Sequence, residues 1–164
     1  MKIKKVLRSF FLKRGLIGFL FFLSFLHIGK SDDKNYYVTR VIDGDTIELE
    51  TGELVRYIGI DTPEVREKKN GRWIYRPQPF AEEAKALNEK WVEGKKVHLE
   101  RDVEKFDKYG RVLAYVYVDD FFVNEALVRQ GYARLLTIRP DVKHAHDFKK
   151  ALEEAKKNHR GMWK

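Results

Sequence analysis

The chain has no cysteine among its 164 residues, which excludes disulfides, zinc–thiolate centres and cysteine nucleophiles together. It shows no internal repeat and no low-complexity segment. Beyond its first 30 residues it also lacks a charge excess. The formal charge is +8, but residues 1–30 hold seven Lys/Arg and no Asp/Glu, leaving 26 Lys/Arg against 25 Asp/Glu from residue 31 onward. A balance of +1 argues weakly for a nucleic-acid partner, so any phosphate binding must come from locally placed groups. Hydrophobic residues at 43% and aromatics at 13% nevertheless fit one globular domain with a proper core.

The longest apolar run, Leu16–Ile28, is shorter than the roughly 20 residues of a comfortable membrane span. It follows Lys2, Lys4, Lys5, Arg8, Lys13 and Arg14 and precedes the polar Lys30-Ser31-Asp32-Asp33. A basic segment, an apolar core and a polar exit describe a secretory signal. No small-x-small cleavage site follows the run, so an uncleaved anchor stays open beside a removed signal. In both cases the basic end stays inside. Residues 1–30 are therefore expected to be a signal peptide or N-terminal membrane anchor. Residues 31–164 are then an extracytoplasmic domain, secreted or held at the membrane.

The body reads as strands first. Tyr36–Ile42 and Thr46–Glu50 are β-rich, and Thr51-Gly52-Glu53 turns into a third strand, Leu54–Ile60. Residues 61–79 lose periodicity and read as a long loop, the kind that tends to be functional. Phe80, Ala84, Leu87 and Trp91 then share a helix face that Gly94 stops. Strands at Lys96–Arg101 and Val112–Val118 follow. Asn124 can cap a short helix ended by Gly131, or tie the barrel to the helices. A last helix, Ala145–Asn158, aligns Phe148, Ala151, Leu152 and Ala155. The expected class is α+β: a five-stranded barrel of the OB type with about three α-helices around it.

Carboxylates bunch at the strand ends: Asp43 and Asp45 in Val-Ile-Asp-Gly-Asp-Thr, and Asp61 and Glu64 in Ile-Asp-Thr-Pro-Glu. Gly44 allows a bend that lets both aspartates face one place, and Pro63 stiffens the second segment. If the two segments adjoin, Asp45 and Asp61 make a hard, oxygen-only pocket suited to Ca²⁺ or Mg²⁺. Arg56, five residues before Asp61, and Arg111, opening another strand, supply always-charged forks for phosphate oxygens. Such a set suits attack on a phosphodiester. One arginine at a phosphoryl transition state is worth about 4–7 kcal/mol by analogy with an arginine finger.

These motifs, with Asp107-Lys108-Tyr109-Gly110-Arg111 and Val123-Asn124-Glu125-Ala126-Leu127-Val128-Arg129-Gln130-Gly131, resemble the staphylococcal nuclease (thermonuclease) family from about Tyr36 to Trp163. The resemblance implies an OB-fold nuclease that hydrolyses DNA and RNA with one Ca²⁺, cutting the 5′ P–O bond and leaving 3′-phosphate ends. Ligand chemistry leaves Mg²⁺ and Mn²⁺ open. The resemblance further implies that Asp45 and Asp61 ligate the metal by carboxylate and Thr62 by its carbonyl, with Asp43 one contact behind. Glu64 would hold the attacking water, as general base or as orienter. Arg56 and Arg111 would clamp the scissile phosphate, with Lys108 and Tyr109 along the nucleotide site.

The family's two nucleotide-site tyrosines have no counterpart in Ala133–Pro140. Trp73, Tyr75 and Phe80 are candidates to replace them, or else pack the loop down, and Arg139 is a candidate phosphate contact. The rival readings are a catalytically silent OB-type binding module and a membrane-tethered interaction protein. No dimerisation stripe is evident, so a monomer is expected.

Overall fold

The computed structural model describes residues 35–164, and the 1–30 leader lies outside them. Strands β1 (Asn35–Asp43), β2 (Thr46–Leu49) and β3 (Leu54–Tyr57) form an antiparallel meander. After α1 (Ala81–Val92), strand β7 (Lys96–Glu100) pairs with β1, and β8 (Val112–Val118) pairs antiparallel with β7. Parallel pairing of β8 with β3, Val55 beside Val112 and Arg56 beside Leu113, closes the barrel. This is the OB arrangement read from the sequence, and closure leaves no free edge among its five strands. The short β9 (Phe121–Phe122) pairs antiparallel with β8, and among the described residues two more α-helices, α2 (Val123–Arg129) and α3 (Ala145–Lys157), complete the α+β fold.

Alternation places the core. In β7, Val97 and Leu99 are buried while Lys96 is exposed, and Val38, Ile47, Val55 and Val116 meet them inside the barrel. Burying an aliphatic or Phe side chain of this size is worth about 1.5–3 kcal/mol. Phe148, Ala151 and Ala155 form the buried stripe of α3, as their spacing predicts, with Leu152 half-buried beside them. The buried edge of α1 is rotated from the expected one: it runs Ala81, Ala84, Asn88 and Val92, while Leu87 and Trp91 are half-buried. Asn88 belongs inside because its amide oxygen accepts the Tyr57 hydroxyl at 2.9 Å and its nitrogen reaches the Asp43 carbonyl at 3.3 Å.

Asn124 is a tie and not a cap. It lies inside α2, accepts from Val116 N at 2.9 Å and donates to Ile58 O at 3.0 Å, so a fully buried amide pins helix to barrel.

Two expectations for residues 54–79 are corrected. The third strand is not continuous: it breaks at Ile58 and resumes as β4 (Gly59–Asp61), which pairs with β10 (Arg134–Leu136). Gly59 makes the break at φ +82°, where a side chain would also strike Phe148, its Cβ 2.3 Å from the ring. Residues 61–79 are not structureless either. They hold an antiparallel hairpin, β5 (Arg66–Lys69) and β6 (Arg72–Tyr75), turned by Asn70-Gly71 at φ 50° and 79°. Both turn residues at positive φ make the Asn-Gly hairpin turn whose twist matches its strands.

Candidate active site

The break at Gly59 builds the site. Along a straight strand, residues five apart are separated by about 16 Å and face opposite sides. Here the chain folds back, and Arg56 Nη2 lies 2.8 Å from Asp61 Oδ1. The other guanidinium nitrogen, Nη1, lies 2.7 Å from Asp45 Oδ2 and donates to the Ile60 carbonyl at 3.1 Å. One guanidinium thus joins the two aspartates that the sequence analysis set at one pocket.

Asp45 is almost fully buried, and each of its oxygens is used. Oδ2 also accepts the Thr62 main-chain N–H at 2.7 Å, and Oδ1 accepts the Thr46 hydroxyl at 3.2 Å. Burial, opposed by Arg56 and reinforced by Asp43, pushes the Asp45 carboxyl up to about 7. Asp43 sits one step back, accepting Asp45 N at 3.2 Å, and is raised by burial and then by Glu64. Gly44 between them is required by a close approach: a Cβ there would sit 2.6 Å from Thr62 Oγ1. That contact brings the Asp-Gly-Asp turn against the Asp-Thr-Pro-Glu segment.

Glu64 stands at the root of the hairpin, its main chain clamped on both sides by Gln78. Gln78 N donates to Glu64 O at 3.0 Å, and Glu64 N donates to Gln78 Oε1 at 3.2 Å. Desolvation first, and Asp45 second, raise its carboxyl, while Arg56 and Arg111 oppose them. One carboxylate therefore feels both aspartates and both arginines.

Arg111 enters from the turn before β8. Its Nε donates to Asp107 Oδ2 at 2.7 Å and its Nη1 reaches Thr46 Oγ1 at 3.5 Å, so hydrogen bonds run from Arg111 through Thr46 to Asp45. Tyr109 is exposed, with the Lys108 ammonium 5.0 Å and the Arg111 guanidinium 5.6 Å from its ring centre. Asp43, Asp45, Arg56, Asp61, Thr62, Glu64 and Arg111 are thus brought together, with Lys108 and Tyr109 at the rim. Arg139 lies beyond β10 on the surface.

Four residues at or beside the site carry no role in the sequence reading. Gln78, a loop glutamine, carried no signal, and Thr46 closes the Val-Ile-Asp-Gly-Asp-Thr motif with no role of its own legible there. Asp107 stood inside a recognised motif, and its spacing four before Arg111 was the available clue. Arg134 also arrives unannounced, paired with Asp61 across the β4–β10 ladder.

The donor set fits a hard divalent cation. Asp45 and Asp61 offer carboxylates within reach of one guanidinium, and the Thr62 main chain is held against Asp45. Among the described residues no three His, Asp or Glu side chains gather as a metal cage. Two carboxylates would leave the remaining positions of such a cation to other oxygens, water among them, as hard cations accept.

Residues 54–164 match the family model described as staphylococcal nuclease homologue. Over 139 residues the chain is 34% identical to a thermonuclease of Staphylococcus hyicus, covering 83% of this chain and 79% of that protein. It is 38% identical over 133 residues to a thermonuclease of Staphylococcus intermedius, with 79% and 76% covered. It is 41% identical over 129 residues to the SPbeta prophage-derived endonuclease YokF of Bacillus subtilis, with 76% of this chain but 42% of that protein covered.

Proposed function

This chain belongs to the staphylococcal nuclease family and is a nuclease by that membership; on that premise we propose an exported, calcium-dependent enzyme that hydrolyses DNA and RNA with little sequence preference and leaves 3′-phosphate ends. The single observation that carries the reading is the convergence of Arg56, Asp45, Asp61, Glu64 and Arg111 on one end of the barrel. Asp45 and Asp61 would hold Ca²⁺ by carboxylate and Thr62 by its carbonyl, with Asp43 orienting the turn behind them. When bound, the ion offsets negative charge on the phosphoryl oxygens.

The remaining work falls to the chain's own groups. Arg56 and Arg111 present forked donors to the non-bridging oxygens of the scissile phosphate, stabilising the charge that grows there. Glu64 holds a water for in-line attack, and its raised affinity for protons suits it to accept one. The water oxygen bonds to phosphorus and the P–O5′ bond breaks. The leaving 5′-oxygen takes a proton from solvent and departs as a 5′-hydroxyl, and the phosphate stays on the 3′ side. Lys108 and Tyr109 lie along the nucleotide next to it. Arg56 must exchange its aspartate partners for phosphate oxygens, an exchange favoured as a cation takes over those carboxylates.

Residues 1–30 serve as the export signal or anchor and residues 31–164 as the nuclease domain, acting as a monomer. Among the described residues no helix is long and apolar enough to cross a membrane, and the leader lies outside them.

The test incubates the purified full chain with heat-denatured DNA and with RNA, first with Ca²⁺ and then with excess chelator, and reads product ends for a 3′-phosphate. Calcium-dependent cleavage leaving 3′-phosphates is expected. No cleavage with Ca²⁺, Mg²⁺ or Mn²⁺ from a folded sample would overturn the reading in favour of a binding module. Fractionation of expressing cells should place the chain outside the cytoplasm.

A further inference from the structure

The hairpin that carries Glu64 at its root has a face that the proposed hydrolysis does not use. Its register sets Arg66 opposite Tyr75 and Lys68 opposite Trp73. Cross-strand partners project from the same side of a ribbon, as do residues two apart. Arg66, Lys68, Trp73 and Tyr75 therefore share one face, a cation beside an aromatic ring twice over. Glu67, Lys69, Arg72 and Ile74 take the other.

Trp73 is 66% exposed and Tyr75 65% exposed. The Tyr75 hydroxyl donates to Glu82 at the start of α1, which fixes the ring in place. Every residue of the two strands is exposed, so the indole packs no core. The segment from Arg66 to Arg76 carries five cations and one carboxylate, Glu67, in a body whose balance is +1. Arg76 already engages that carboxylate at 3.0 Å. Arg66, at the near end of this face, also lines a groove of about 530 Å³ with Glu64, Glu67, Arg76 and the Pro77–Pro79 segment, so the face reaches the candidate catalytic carboxylate through Arg66.

We propose that this face is a platform for an unpaired nucleic-acid strand, with bases stacked on Trp73 and Tyr75 and phosphates paired with Arg66 and Lys68, leading the strand through the groove to Glu64. The chemistry selects the occupant. Alternating cations and aromatic planes match phosphates interleaved with open base faces, which a single strand presents and a duplex hides. The inference rests on the nuclease reading for the strand's destination and adds the surface of this chain that holds the strand on its way there.

The test follows fluorescein-labelled oligothymidylate binding to the full chain by anisotropy in excess chelator, where no turnover is expected. Trp73→Ala should weaken binding about 5- to 150-fold, the loss of one base stack. Lys68→Gln should weaken it and reduce the slope of log affinity against log salt by about 0.7, one phosphate contact on a single strand. The same oligonucleotide annealed to oligoadenylate should bind more weakly and respond little to Trp73→Ala. Unchanged affinity of Trp73→Ala for the single strand, at an unchanged melting temperature, would overturn the inference. A loss confined to Lys68→Gln would also overturn it, reducing the face to a plain cationic patch. Because binding is read without cleavage, a chain that binds in the expected way yet never cleaves sinks the nuclease reading alone. A chain that cleaves without any dependence on Trp73 sinks only the platform.

Discussion

Asp107 holds Arg111 by both main chain and side chain. Asp107 Oδ1 accepts the Arg111 N–H at 2.9 Å while Oδ2 accepts its Nε at 2.7 Å, and Oδ1 also accepts Tyr109 N at 2.9 Å. Partial burial alone would raise this carboxyl, but the Arg111 main-chain and side-chain hydrogen bonds outweigh it and hold it low. One carboxylate therefore shapes the turn and aims the guanidinium, leaving the arginine's remaining donors for a ligand.

Asp107→Ala should keep the fold and lower kcat about 10- to 150-fold, the worth of one hydrogen bond to a charged group expressed in the transition state. Asp107→Asn, which keeps an acceptor for the turn, should lose less. Steady-state kinetics on single-stranded DNA check this, and equal kcat for Asp107→Ala and the parent would show that Arg111 needs no such support.

The clasp of Arg56 on Asp45 and Asp61 separates metal binding from turnover. Arg56→Ala removes a cation from beside both carboxylates, so Ca²⁺ should bind more tightly while turnover falls by orders of magnitude. In the metal-free variant Asp45 should rise further above about 7 and hold a proton at neutral pH, so stability falls by less than the about 3–5 kcal/mol of a buried charge left bare. Arg111→Ala should leave Ca²⁺ binding largely intact and still abolish most turnover, whereas Asp45→Ala should raise the Ca²⁺ requirement. Titration calorimetry beside kinetics distinguishes the three, and normal turnover in both arginine variants would refute the site.

Acid sensitivity should trace to a carboxylate outside the candidate site. Glu100 accepts hydrogen bonds from Lys143 and from the Tyr117 hydroxyl at 2.8 Å, and pairs with His144 Nε2 at 2.9 Å. Burial would raise its carboxyl, but these partners outweigh it and bring the folded value down from 4.5 to about 2. A lowered folded value stabilises the protein above pH 4.5, and that contribution is lost as pH falls toward 2. Glu100→Gln should thus lower stability at neutral pH and flatten its fall in acid, seen as denaturant melts from about pH 7 to pH 3.

Gly59→Ala should be among the costlier single changes. A left-handed conformation for alanine and a Cβ driven into Phe148 each cost about 1–3 kcal/mol. In a Phe148→Ala background, where the ring is gone and only the left-handed backbone is strained, Gly59→Ala should cost less than it does beside the intact ring. A thermal melt within a degree or two of the parent's would refute the assignment of this glycine as the break.

Much of this was legible in the sequence, and the exceptions have physical causes. Strand alternation in β7 and the stripe of α3 are properties of single elements, so they could be read along the chain. The Asn70-Gly71 turn was also written there. It was passed over because its strands carry charge on both faces and bury nothing, so no apolar alternation marked them. The break at Gly59 was hidden by the apolar residues around it, which continue the strand pattern while the backbone turns for the sake of a contact with α3, 89 residues away. Asn88 and Asn124 show the same limit. A buried amide is explained by partners such as Tyr57 and Ile58, which only the folded chain brings near.

The carboxylates and arginines were readable as residue types and, through the family resemblance, as one site, whereas the direct contact of Arg56 with Asp61 was not. Arg56 and Asp61 sit five apart on what looked like one strand, a spacing that would have kept them apart.

The parallel seam between β3 and β8 joins Arg56 to the neighbourhood of Arg111 across 55 positions of chain, through the pairing of Val55 with Val112. No local segment holds both arginines, so the site comes into being only when this seam closes. A newly made or still extended copy is consequently inert toward the nucleic acids around it. Folding itself is the safety catch, and the enzyme is armed in a single step.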